Sequence, residues 1–130
     1  MEKRVIKFRA WNNVQKKMYS QVDIITPADG RSAVLPDGRI QTTANAARFN
    51  IMQFTGLFDR KAAEIWEGDI LKYTHPDGDT IMSVIYNDCT ACFDVEYPET
   101  HECETLYTLD FEENKPEVIG NIYEHAHLLK

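Results

Sequence analysis

The sequence is short of the features that most often announce a function. Only three of its 130 residues are cysteine, an odd number confined to Cys89–Cys103. That excludes a disulfide framework spread over a secreted domain and points to a reducing compartment. No apolar run approaches the roughly 20 residues a membrane-spanning helix needs. The opening Met1-Glu2-Lys3-Arg4-Val5-Ile6 carries no apolar core of a signal peptide, so a cytoplasmic protein without membrane partners is expected. No Gly-rich phosphate loop, nucleophile elbow or two-histidine helical metal motif occurs, and nothing else in the chain forms a recognisable active site. Basic residues are outnumbered as well, 14 Lys and Arg against 21 Asp and Glu. The net charge of −7 argues against a general affinity for nucleic acid or anionic membranes.

What is present is enough for one folded domain over residues 1–130. Six Tyr, six Phe and two Trp, in a chain 43% hydrophobic, exceed what a disordered segment contains. The charge is unevenly divided. Residues 1–61 hold eleven Lys and Arg against five Asp and Glu, a net +6, whereas residues 62–130 hold three against sixteen, a net −13. Opposite halves of this kind are expected to meet within a chain or between copies, or to offer a basic surface to an acidic partner.

Val5 to Trp11 alternates, placing Ile6, Phe8 and Ala10 on one face and Lys7 and Arg9 on the other, the period of a half-buried strand. Asn12-Asn13 supplies residues that tolerate positive φ, and Lys17 to Val22 can return as the partner, so the chain is expected to open with a hairpin. Pro27, Asp29-Gly30, Pro36 and Asp37-Gly38 predict an irregular loop over 27–38, followed by a short helical turn at Thr42–Arg48. Phe49–Thr55 reads as a strand closed by Gly56, and Asp59–Glu64 as a turn or a brief helix. The second half then reads as strands at Ile65–Tyr73, Thr80–Tyr86, Cys92–Tyr97, Thr105–Phe111 and Glu117–Tyr123, with a tight turn at His75–Asp79. The predicted class is mainly β with little helix: an N-terminal hairpin and irregular segment, then a small SH3-like barrel or strongly bent antiparallel sheet.

Three blocks stand out: Ile6-Lys7-Phe8-Arg9-Ala10-Trp11 with Lys16-Lys17-Met18; Met52-Gln53-Phe54-Thr55-Gly56-Leu57 running to Ile65-Trp66-Glu67-Gly68-Asp69-Ile70; and Val118-Ile119-Gly120-Asn121-Ile122-Tyr123-Glu124. In this order the chain resembles the YopX family of phage and prophage proteins over essentially its full length. It departs from the family pattern at Lys61-Ala62-Ala63, at His125-Ala126-His127 and at Phe58. The resemblance implies a small, oligomeric protein encoded on phage or integrated-phage DNA, of a family whose biochemical role is not established; with no active site in view, the expected role is that of a non-enzymatic accessory protein of the bacterial host cytoplasm acting through protein-protein contacts. The resemblance carries no cofactor and no metal site. Within the blocks, Gly56, Gly68 and Gly120 mark bends, bulges or close backbone approach. Trp11, Trp66 and Tyr123 suit a core margin or a subunit interface.

Two clusters carry chemistry of their own. Cys89-Thr90-Ala91-Cys92 followed by His101 and Cys103 supplies four ligands of the types tetrahedral zinc takes, against a reading as ordinary free thiols. Lys7, Arg9, Lys16 and Lys17 beside Trp11 make a basic strand face able to meet single-stranded nucleic acid through phosphate charge and base stacking. The carboxylates Glu67, Asp69, Asp77 and Asp79 read as turn residues. His125 and His127, near the final residues, are expected to face solvent.

Overall fold

The structure is a computed structural model that describes residues 5–25, 33–35, 49–106 and 115–130. Strands β1 (Phe8–Asn12) and β2 (Lys17–Ile25) form the expected hairpin, with Trp11 opposite Met18 and Ala10 opposite Tyr19. The positive φ falls on Lys16, at 55°, rather than on the asparagines. Asn12 acts through its side chain instead. Its Oδ1 accepts hydrogen bonds from the Val14 and Gln15 N–H groups at 2.9 Å, which fixes the turn while the Lys16 N–H donates to the Asn12 carbonyl. β2 carries one extra residue between the Phe8 and Ala10 pairings, a bulge.

The stretch expected to be wholly irregular contains a third strand, β3 (Ala33–Leu35), paired antiparallel with Asp23–Ile25 of β2. The predicted helical turn at 42–48 lies outside the described residues. Strand β4 (Phe49–Phe58) pairs with β1 and runs through Gly56, where the sequence pattern placed its end. Gly56 has φ of 88°, a conformation a residue without Cβ adopts readily, so the strand continues through it. On one face of this sheet Ala10, Val22 and Phe49 are buried, with Phe8, Tyr19, Ile24 and Ile51 packed against them. The alternation starts at Phe8; Val5 and Ile6 remain 60% and 55% exposed.

Two compact units divide between Phe54 and Thr55, ahead of the charge break at Lys61. In the second unit the end of β4 neighbours β5 (Glu64–Trp66), and the Thr55 hydroxyl donates to the Ile65 carbonyl at 2.6 Å. Five further strands follow: β6 (Asp69–His75), β7 (Gly78–Asn87), β8 (Cys92–Glu96), β9 (Cys103–Thr105) and β10 (Glu117–Asn121). They form one antiparallel sheet in the order β10-β6-β7-β8-β9. Period-2 alternation explains its core: Leu71 and Tyr73, Met82 and Val84, and Val95 point to one face and bury with Ile65 and Leu106. Each fully buried aliphatic side chain here contributes roughly 1.5–3 kcal/mol. The β6–β7 turn is the predicted one, with His75 opposite Gly78. β9 begins earlier than expected, and residues 107–111 of that predicted strand lie outside the described residues. The final turn, Ala126–Leu129, is a short 3-10 helix. No helix among the described residues is long and apolar enough to cross a membrane.

Candidate functional site

Cys89 and Cys92 bound the β7–β8 turn. The Asn87 side chain accepts from the Cys89 N–H at 3.0 Å, and the Cys92 thiol lies 3.3 Å from the Thr90 carbonyl. Cys103 opposes Glu96, at the far end of β8 from Cys92. Four steps along the strand separate those positions, about 13 Å at the usual rise. His101 sits in the turn before β9, its Nδ1 3.8 Å from Glu96. The four zinc-type residues are therefore split into two pairs, and among the described residues no three His, Cys, Asp or Glu side chains gather around a common point. Residual desolvation, then the Glu96 and Asp94 carboxylates, push the Cys103 thiol above its ordinary pKa.

The basic residues of the first unit are similarly divided. Lys16 and Lys17 are exposed at the hairpin turn, and the Lys17 ammonium lies 4.8 Å from the Tyr19 ring centre. Lys7 stands just before β1 with its ammonium 4.8 Å from the Phe54 ring centre, and Arg9 is half-buried. Trp11 is 7% exposed, so the aromatic platform that base stacking requires is not on the surface. Trp66 is buried as well and Tyr123 half-buried.

The carboxylates nearest the family blocks have structural work. Asp69, the first residue of β6, accepts from the Trp66 N–H at 2.7 Å, and Asp77 and Asp79 lie exposed at the β6–β7 hairpin. A further carboxylate was not singled out by the sequence. Asp59 is 2% exposed; its Oδ1 accepts from the Lys61 and Ala63 N–H groups at 2.8 Å, and its Oδ2 from the Val118 N–H at 2.9 Å. Its turn role was legible as an Asp opening a polar stretch. Its bond to a residue 59 positions away was not. Nearby, Lys61 reaches Glu117 at 2.7 Å and, chiefly through that hydrogen bond, holds its carboxyl below the ordinary value. His125 departs from the expected solvent exposure. It is half-buried, and its Nδ1 accepts from the Asn121 N–H at 3.1 Å, whereas His127 is exposed.

The second unit also holds a recess of about 410 Å³ between the start of β7, the Tyr97–Glu102 turn and the final 3-10 helix. Ile81, Leu128 and Leu129 supply apolar lining, and Asp79, Glu99 and Glu102 supply carboxylates. Tyr97 also lines it, and its hydroxyl donates to Glu104 at 2.8 Å. Burial first, and then Glu104, push the Tyr97 phenol up to about 12. The folded pKa exceeds the ordinary value of 10.0, so the stability this group contributes is complete below that pH and is lost as pH rises through the folded value. An absorbance titration of the six tyrosines should show a late-ionising phenol that Tyr97→Phe removes.

With this geometry in place, a family model decides the relationship: that of the YopX protein matches residues 7–130. The chain belongs to the YopX family. Two solved structures resemble this YopX chain. Protein EF1440 from Enterococcus faecalis is 26% identical with a TM-score of 0.69, covering 98% of this chain and 100% of that one. Protein YopX from Bacillus subtilis is 18% identical with a TM-score of 0.63, covering 95% and 98%. No curated protein gives a significant match. Two of the blocks that carry the YopX resemblance hold strands together. Gly68 of the Glu67-Gly68-Asp69 turn donates to the Val84 carbonyl and accepts from the Ile122 N–H, tying β7 and the end of β10 to the same turn. Gly120 sits at the register shift where β10 pairs with β6.

Proposed function

We propose that this YopX-family chain is a phage- or prophage-encoded accessory protein of the bacterial cytoplasm that acts without catalysis, through self-association and contacts with a host or phage protein. The observation that carries this reading is the charge of the two units. Residues 1–54 hold nine Lys and Arg against four Asp and Glu, a net +5; residues 55–130 hold five against seventeen, a net −12. Units of opposite net charge on one chain favour head-to-tail contact between copies and steer their encounter. The non-catalytic side rests on Asp59 and Asp69, buried carboxylates occupied by backbone N–H groups. Nucleic-acid binding through Lys7, Arg9, Lys16 and Lys17 is the less supported alternative, because Trp11 is buried.

Light scattering across a salt series tests the reading. The expected result is a mass above that of one chain at low ionic strength, falling toward the monomer as salt screens the charges. A monomer at low salt overturns self-association. Salt-sensitive binding of single-stranded DNA in an anisotropy titration, with no self-association, would favour the alternative.

A further inference from the structure

We propose that the recess of the second unit takes the Val5-Ile6 segment of a second copy, so that assembly proceeds head to tail. The inference rests on the self-association reading and names its contact. Val5 and Ile6 are adjacent branched aliphatic residues, 60% and 55% exposed, so their own chain leaves them largely uncovered. In sequence they are flanked by Lys3 and Arg4 on one side and by Lys7 and Arg9 on the other. An aliphatic pair framed by cations wants an apolar floor with a negative rim.

The recess has that composition. Ile81, Leu128 and Leu129 give the apolar floor, Asp79, Glu99 and Glu102 the negative rim, and Lys130 is the single cation lining it. Its volume of about 410 Å³ falls within the roughly 300–1,000 Å³ of pockets that hold small ligands. Burying Val5 and Ile6 supplies the apolar gain, while the flanking charges set orientation and exclude uncharged or acidic segments. Each copy has one segment and one recess, so the contact is heterologous and builds a ring or a chain of copies.

Two exposed-site variants of the full chain test this without touching a core: Val5→Asp with Ile6→Asp, and Glu99→Lys with Glu102→Lys. Sedimentation velocity is expected to show the wild type associating and each variant alone as a monomer. Mixing them should restore a one-to-one heterodimer, because the first keeps an intact recess and the second an intact segment. A labelled peptide spanning Met1–Arg9 should bind the first variant and lose at least about tenfold in affinity for the second, where like charges now meet. If the wild type associates and both variants associate equally, the recess is not the contact and the inference falls, with self-association intact. A wild type that stays monomeric at every concentration overturns both.

Discussion

Replacing Asp59 by alanine is expected to lower the unfolding free energy by about 3 kcal/mol, read from the urea midpoint at unchanged slope. The side chain is 2% exposed and accepts three backbone N–H groups, two within its own turn and one on β10. Hydrogen bonds to a charged acceptor each contribute roughly 1.5–3 kcal/mol, and a buried donor left unsatisfied costs on the order of 1–3 kcal/mol. These terms are not additive, because water can reach the Lys61 end of the exposed turn; the sum is therefore discounted to the stated value. Asp59→Asn should fall between wild type and alanine. Its remaining carbonyl can accept on one side, but its amide would point a donor at a backbone N–H where the carboxylate oxygen had accepted. A cost below about 1 kcal/mol for alanine would mean that the turn and β10 hold their places without the carboxylate.

Asp59 also marks the boundary of what the sequence made legible. Alternation and turn chemistry are local, so the β1–β2 hairpin, the β6–β7 hairpin and β8 stand where the pattern put them. β3 escaped because Ala33-Val34-Leu35 lies among prolines and Asp-Gly pairs, and only its pairing with Asp23–Ile25 makes it a strand. Gly56 was read as a stop because glycine inside a strand weakens it and gives no side chain to pack. The thiol and histidine positions looked close because 89, 92, 101 and 103 are close in number. A strand pair turns that nearness into distance, setting Cys92 and Cys103 at opposite ends of β8. For Trp11 the alternation put the residue on the same face as Lys7 and Arg9, and its burial there depends on what packs over that face, which a local pattern does not show.

The second large effect is expected at Gly120. Gly120→Ala should cost about 2 kcal/mol, within the usual range for adding a methyl group to a site with no room for it. A Cβ there would lie 2.6 Å from Nδ1, 2.7 Å from Cγ and 2.8 Å from Cβ of His125. The last of these atoms is fixed to the backbone, so rotating the ring does not relieve the clash; the chain at His125 has to move. That movement breaks the bond from the Asn121 N–H to His125 Nδ1 and strains the one from the His125 N–H to the Asn121 carbonyl. Combining Gly120→Ala with His125→Gly separates the contact from other effects. If crowding by His125 is the cause, most of the alanine penalty disappears in that background, and the coupling falls in the range of about 0.5–3 kcal/mol seen for touching residues. A penalty that persists undiminished would place the cause in the β10 bulge itself. The same displacement reaches the recess, because His125 leads directly into the 3-10 helix carrying Leu128 and Leu129. Gly120→Ala should therefore weaken binding of the Met1–Arg9 peptide at temperatures where the sheet is still folded, so that stability and association fail at separate points on a melting curve.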